Sequence, residues 1–322
     1  MRYITREDLR DVAVKIFQRG ILFILSKFNL NKLQRTKTAF NSLQVNSSNW
    51  WIIPSVRKRW NQLITGDENK TYEQLLSKHF QASKPFHLIS IGSGVCSHEL
   101  TLARLNKHWE ITCIDISDKL LNKASETAKK EGLTNIQFIV GDIYQQKIES
   151  KKYHAVMFHA SLHHFNHISE FIPTYITPLL HKKGHLIINE FVGENRLQYT
   201  HNQIKAINNS LKLIPRDKRK IYKTPFYKKR YYGSGIWRMK IADPSECIDS
   251  VNIMPTIHAN FDTIIEKPYG GNILMSALKD ISHHFIDESE ENISILKNIF
   301  KKEDEYLKEY ESDFVFGVYL LK

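Results

Sequence analysis

The sequence predicts an α/β protein built on an open, doubly wound sheet of mainly parallel strands. Three observations carry this. Short apolar runs rich in β-branched residues recur at residues 88–91, 111–114 and 136–140. None of them alternates apolar with polar, which is the pattern of strands buried on both faces. Helical patterns lie between them, around 99–106 and 119–130, so the unit reads βαβαβ. In such a sheet the ligand crevice lies at the carboxyl ends of the strands.

The strand ends carry chemistry. The first run ends in Gly92-Ser93-Gly94, the second at Asp115 and the third in Gly141-Asp142. Gly92 and Gly94 permit a tight strand-to-helix turn and let a ligand approach the backbone. Asp115 has the spacing of an acid that accepts hydrogen bonds from two ribose hydroxyls. Asp142 can accept from an exocyclic amine such as that of adenine. Taken in order, the three describe a nucleoside site.

At ISIGSGVCS, CIDIS and VGDIY the chain resembles the class I S-adenosylmethionine-dependent methyltransferases, and the likeness continues through YHAVMFHASLHHF and KKGHLIINEF. The resemblance implies a seven-stranded, mostly parallel sheet with its last strand reversed and inserted between strands five and six. It implies S-adenosyl-L-methionine as cofactor, bound by Ile91, Gly92, Ser93, Gly94, Glu99, Asp115, Ile116, Asp142, Ile143 and His159. Two residues depart from the family pattern. Ser90 stands where many members carry an acid for the methionine amino group, and Cys96 where a third glycine often sits. Glu99, one helical turn on, either replaces the missing acid or is an acid favoured by a helix N-terminus.

The remaining elements follow in order. Residues 1–80 read as a helical cap, in which Leu9, Val12, Ile16 and Phe17 have a helix period and suit packing on a core. Apolar residues 20–25, with Arg19, Lys27 and Lys32, also suit an interfacial membrane helix. Trp50, Trp51 and Trp60 form an aromatic cluster, read either as packing or as part of an acceptor pocket. Residues 81–194 are the cofactor-binding core. After strand four come His163 and His164, either of which could take an acceptor proton near neutral pH. Residues 171–180 read as a helix shortened by Pro173 and Pro178, and 181–184 as the turn into strand five. Glu190, at the end of that strand, reads as a base, an acceptor ligand, or a cap or ion-pair partner. The two neighbouring histidines lack a third ligand nearby, so no metal is expected.

Residues 195–255 read as an inserted basic, aromatic lid. Positions 212–240 carry eleven Lys or Arg against one Asp, nearly all of the chain's +12. Lys228, Lys229 and Arg230 suit an anionic acceptor, and Tyr231 and Trp237 suit stacking on one. Asp243-Pro244 reads as a helix start. Residues 256–322 supply closing strands and helices, with a strand at 261–266 and a last strand at 314–321.

The three cysteines have neither CxxC nor zinc spacing and read as reduced thiols of a cytoplasmic protein, with peripheral membrane contact left open. The expected activity is methyl transfer to oxygen or nitrogen of a small-molecule, glycan or lipid-like acceptor. Rival readings are a nicotinamide dehydrogenase, a nucleic-acid methyltransferase and a non-catalytic module of the same fold. The second lacks an Asn/Asp-Pro-Pro-Tyr or Pro-Cys motif.

Overall fold

The structure, a computed structural model, describes residues 1–22, 34, 48–81, 85–148 and 152–322. Residues 23–25 of the apolar run expected at 20–25, together with Lys27 and Lys32, lie outside them. The first elements are α1 (Arg6–Arg19), α2 (Pro54–Thr65), α3 (Tyr72–His79), β1 (Phe86–Ile91), α4 (Ser97–Leu105) and β2 (Trp109–Asp115). Then come α5 (Asp118–Lys130), β3 (Ile136–Val140), β4 (Tyr153–His159), α6 (Ile168–Phe171), β5 (Leu180–Phe191) and α7 (His201–Leu211). The last are α8 (Ile236–Ala242), α9 (Ile253–Asn260), β6 (Phe261–Gly270), α10 (Leu274–Leu278), α11 (Glu290–Tyr306) and β7 (Phe314–Leu321).

The chain divides into two compact units. One comprises Asn61–Val192, Ile248–Pro268 and Val315–Lys322; the other Met1–Trp60, Gly193–Cys247 and Tyr269–Phe314. Most of the expected cap (1–80) and lid (195–255), with 269–314, falls in the second unit.

The first unit is organised by the sheet, in the order β3-β2-β1-β4-β5-β7-β6. The pairs β1·β2, β1·β4, β2·β3 and β4·β5 are parallel. The reversal of order beside β1 creates the crevice expected of a doubly wound sheet. β7 lies between β5 and β6, as the family resemblance implies. β1 and β2 are almost wholly buried, which explains why their sequences do not alternate. β3, at the edge, is only partly covered. One apolar cluster runs from Ile89 and Val156 through Phe171 and Ile188 to Tyr319.

Local chemistry explains several boundaries. α3 begins after Thr71, whose amide donates to Gln74 Oε1 of the first turn at 2.9 Å. The helix expected at 171–180 is a single α-helical turn followed by a π turn and a 3₁₀ turn, because Pro173 and Pro178 each withhold a backbone donor. Residues 181–184 are not a turn before β5 but an irregularity within it: Tyr153 pairs with Leu180 and Ala155 with His185, and Lys183 has a positive φ.

In the second unit, Asp243 does not start a helix. Its carboxylate accepts from the amide and hydroxyl of Ser245, closing an Asx-type turn. α1 is capped by Thr5, with Asp8 returning the bond. Its orientation overturns the expectation from periodicity. The buried side chains are Glu7, Asp8, Asp11 and Val14, whereas Leu9, Val12 and Phe17 are exposed. The acids are held by partners of the same unit. Asp8 accepts from the Gly235 amide and Arg238, and Asp11 pairs with Arg238 and Lys279. Burial alone would raise the Asp11 carboxyl, but the Lys279, Arg238 and Arg10 cations pull it well below the usual range.

Candidate active site

β1 leads into the glycine turn, where Gly92 and Gly94 have φ of +70° and +54°. The Gly92 amide donates to the Ile114 carbonyl at 2.8 Å, fastening the turn to β2. Gly92 meets a second constraint. A Cβ there would stand 2.7 Å from Cβ of Ser161. Ser161 follows β4, and its hydroxyl donates to the Ile91 carbonyl at 2.7 Å. The glycine therefore lets the β4 loop lie directly against the turn. Cys96, at the third glycine position, keeps a left-handed conformation with φ 54°.

Asp115, at the end of β2, is buried. Its Oδ2 accepts from the Gly94 amide at 2.8 Å and its Oδ1 from the Ser117 amide at 2.7 Å. Its carbonyl takes the Gly141 amide at 2.9 Å, tying the exit of β3 to that of β2. Asp142 is half-buried and its Oδ1 accepts from the Tyr144 amide at 3.1 Å. Ile116, the residue after Asp115, is half-buried, while the side chains of Ile91 and Ile143 belong to the apolar cluster. Ser93 sits half-buried in the turn, its amide directed at the Ile114 carbonyl.

Beneath the turn, the Ser90 hydroxyl donates to Glu99 Oε1 at 2.6 Å, with both residues buried. Burial pushes the Glu99 carboxyl above its ordinary value. Next to it the end of β4 meets α3. His159 stacks on Tyr72, and its Nδ1 lies 2.9 Å from the Tyr72 hydroxyl. The His98 ring is 3.7 Å from that of His159, and His98 Nδ1 is 2.6 Å from Glu73 Oε1. Burial, reinforced by His98, holds His159 well below the usual imidazole range. Burial pushes Glu73 up, but the His98 hydrogen bond and charge bring it below its ordinary value. The sequence reading missed Tyr72, Glu73 and His98, because helix periodicity carries no sign of what a helix face will meet.

The end of β5 answers the question left at Glu190. It is fully buried, and its Oε1 accepts from the amides of Ser161 and Leu162, the latter at 2.6 Å. Its Oε2 lies 2.6 Å from His163 Nδ1. A carboxylate can only accept, so this bond assigns the proton to Nδ1 and makes Nε2 the basic nitrogen. Glu190 thus holds the β4 loop and pairs with His163, in line with the capping and ion-pair alternative of the sequence reading. His164 is half-buried, its ring 4.2 Å from that of His163.

The aromatic residues expected to bind an acceptor belong to the second unit and divide by burial. Trp50 is 3 % exposed, edge-on to Trp60 and against Phe314. Tyr231 is buried too, its amide and carbonyl both bonded by the Asn208 side chain. These two are buried within their unit, which for Trp50 agrees with the packing alternative. Trp51 and Trp237 are 47 % and 56 % exposed. Lys228, read as part of a charged surface, is buried and donates to the carbonyls of Ser276 and Lys279; burial lowers its pKa to about 7.

Comparison with known proteins gives a family model described as a methyltransferase domain, matching residues 83–267. None of the curated proteins matches. Among solved structures, a SAM-dependent methyltransferase from Aquifex aeolicus is 16 % identical at a TM-score of 0.35, covering 46 % of this chain and 77 % of its own. The geranyl diphosphate C-methyltransferase of Streptomyces coelicolor A3(2), solved with S-adenosyl-L-homocysteine, is 9 % identical at 0.48, covering 78 % and 75 %. A protein of Pyrococcus horikoshii OT3 is 17 % identical at 0.44, covering 81 % and 96 %.

Proposed function

The chain belongs to the S-adenosylmethionine-dependent methyltransferases with the class I sheet, matched over more than half its length, and from that premise we propose that it methylates oxygen or nitrogen of a small-molecule, glycan or lipid-like acceptor. The cofactor is S-adenosyl-L-methionine, and the residues suit it. Gly92 and Gly94 keep side chains away from the strand end. A carboxylate offers about four acceptor sites, so Asp115 can serve both its turn and the ribose hydroxyls, with Asp142 and the main chain of Ile116 and Ile143 toward the base. The buried Glu99 carboxyl, bonded to Ser90, would gain from the methionine ammonium. It then does the work of the acid missing at position 90. Bound, the cofactor supplies an activated sulfonium methyl, so the protein mainly aligns an acceptor and removes a proton.

The observation that carries the acceptor reading is the path Gly92–Ser161–Glu190–His163. Ser161 fixes the β4 loop to the glycine turn, and Glu190 fixes the same loop to β5. His163 Nε2 accepts the proton of a hydroxyl or ammonium, and Glu190 balances the charge that the imidazole gains. His164, exposed to a greater degree, is the second candidate.

Calorimetry with S-adenosylhomocysteine and NAD, then turnover on a panel of hydroxyl and amine acceptors, tests this reading. We expect binding of the former alone. The rate should rise with pH as the imidazole base loses its proton. His163→Ala should lower kcat by roughly 10²–10⁴ while retaining cofactor affinity. Glu190→Gln should weaken the same pH limb. If His163→Ala, His164→Ala and Glu190→Gln all bind cofactor and stay within about tenfold of wild type, catalysis is by alignment alone. A preference for NAD would remove the methyl-transfer reading.

A further inference from the structure

α1 is docked inside out. Its acids at 7, 8 and 11, with Val14, occupy one arc of the helix, and Leu9, Val12 and Phe17 occupy the opposite one. Leu9 is 69 % exposed and Phe17 57 %. Rotating the helix to cover them would strip Asp8 and Asp11 of Arg238, Lys279 and the Gly235 amide. That would leave buried charges without partners, so the apolar arc is held outward.

The segment 222–238 runs beside this helix and extends its apolar face. Phe17 meets Phe226 edge-on with ring centroids 5.0 Å apart, and Gln18 donates to the Tyr222 carbonyl. Arg10 donates to the Arg230 carbonyl, and the Trp237 amide to that of Tyr3. Tyr232 and Trp237 are exposed along this line, and the Arg230 guanidinium lies over the Tyr232 ring. Lys223, Lys229 and Arg230 are exposed on the same segment, and Lys240 is exposed just beyond it. The acids of α1 that could neutralise them face inward.

We infer that this surface of α1 and 222–238 rests on a lipid bilayer with anionic headgroups. An exposed apolar arc flanked by aromatic rings and lysine or arginine is the composition of an interfacial helix. The excess of cations matches the negative potential of such a bilayer. A second copy of the chain is a poorer occupant, since it would bring like charges together across the contact.

Flotation of the full-length protein with phosphatidylcholine vesicles, and with the same lipid mixed with phosphatidylglycerol, is the test. Binding is expected to the mixed vesicles only, and to weaken as salt is raised. Leu9→Ser with Phe17→Ser should reduce it by at least about tenfold, since both side chains lose apolar contact. Lys229→Gln with Arg230→Gln should remove much of the salt dependence. S-adenosylhomocysteine titration reports that each variant is folded and does not depend on vesicle binding. Failure to float with the mixed vesicles overturns the inference. So does wild-type binding by the Leu9/Phe17 variant, or a concentration-dependent dimer that this variant abolishes without any vesicle binding.

Discussion

Asp115 closes the glycine turn from within, because each of its carboxylate oxygens takes a backbone amide. Its replacement should therefore have two effects. Asp115→Ala removes the acceptor proposed for two hydroxyls, so affinity for S-adenosylhomocysteine should fall by about 1.5–3 kcal/mol. It also leaves the Gly94 and Ser117 amides without this acceptor, so urea unfolding should show a stability loss on the order of 1–3 kcal/mol. Unchanged affinity by calorimetry would remove Asp115 from the cofactor site. The acid was legible from its place after an apolar run, but its bonds to Gly94 and Ser117 were not. Gly92 is similar: the sequence suggested room for a ligand, and the structure adds room for Ser161. The burial of Trp50 and Tyr231 was not legible, because a row of aromatic residues looks the same in sequence whether it faces water or a core.

At the scale of elements, α10 depends on a residue far along the chain. Glu303 of α11 receives the amides of Gly271, Ile273 and Leu274 on Oε1, at 3.0–3.1 Å. It caps a helix of five residues from inside the unit. Gly270 and Gly271 precede the helix with φ of +88° and +89°, and a Cβ on Gly270 would stand 2.5 Å from Glu303 Oε2. Burial raises the Glu303 carboxyl, against the pull of the amides. Glu303→Ala would orphan three buried donors, and we expect a loss on the order of 3–5 kcal/mol in urea unfolding. A loss below about 1 kcal/mol would mean that water replaces the cap. The carboxylate that caps α10 lies some thirty positions away in the chain and could not be read from local sequence. α1 shows the same limit. Its period was legible, whereas the inward face was chosen by Arg238 and Lys279.

At the scale of the whole molecule, charge burial should make stability depend on pH in two opposed ways. Burial raises Asp313 from 3.8 to about 7, against the Gln203 hydrogen bond and with help from Glu303 and Glu194. A carboxyl whose folded pKa is raised holds its proton longer when folded. Stability is therefore lost as pH rises from about 4 to 7, by on the order of 3–4 kcal/mol if this group acts alone. Lys228, lowered by burial from 10.5 to about 7, works in reverse, and its contribution grows as pH rises from 7 toward 10.5. Urea unfolding at pH 5 and pH 7 should show Asp313→Asn losing less stability across this interval than wild type. An equal loss in both would assign the effect to other groups. Among the described residues, no helix is long and apolar enough to cross a membrane.

The sequence by itself determined the sheet's first strands, the glycine turn and the acids at the strand ends, whereas the last strand's position came from the family resemblance. These follow from local rules: β-branched runs form buried strands, glycine permits positive φ, and an acid after a strand faces the crevice. Tertiary structure decided the rest. It joined Glu190 to His163, set Tyr72 against His159 and Ser161 against Gly92, buried Trp50, Tyr231 and Lys228, and turned the apolar arc of α1 outward. Each of these outcomes depends on partners distant in the chain. A side chain's burial and hydrogen bonds are settled by what packs against it, and residue type and local period do not specify that neighbour.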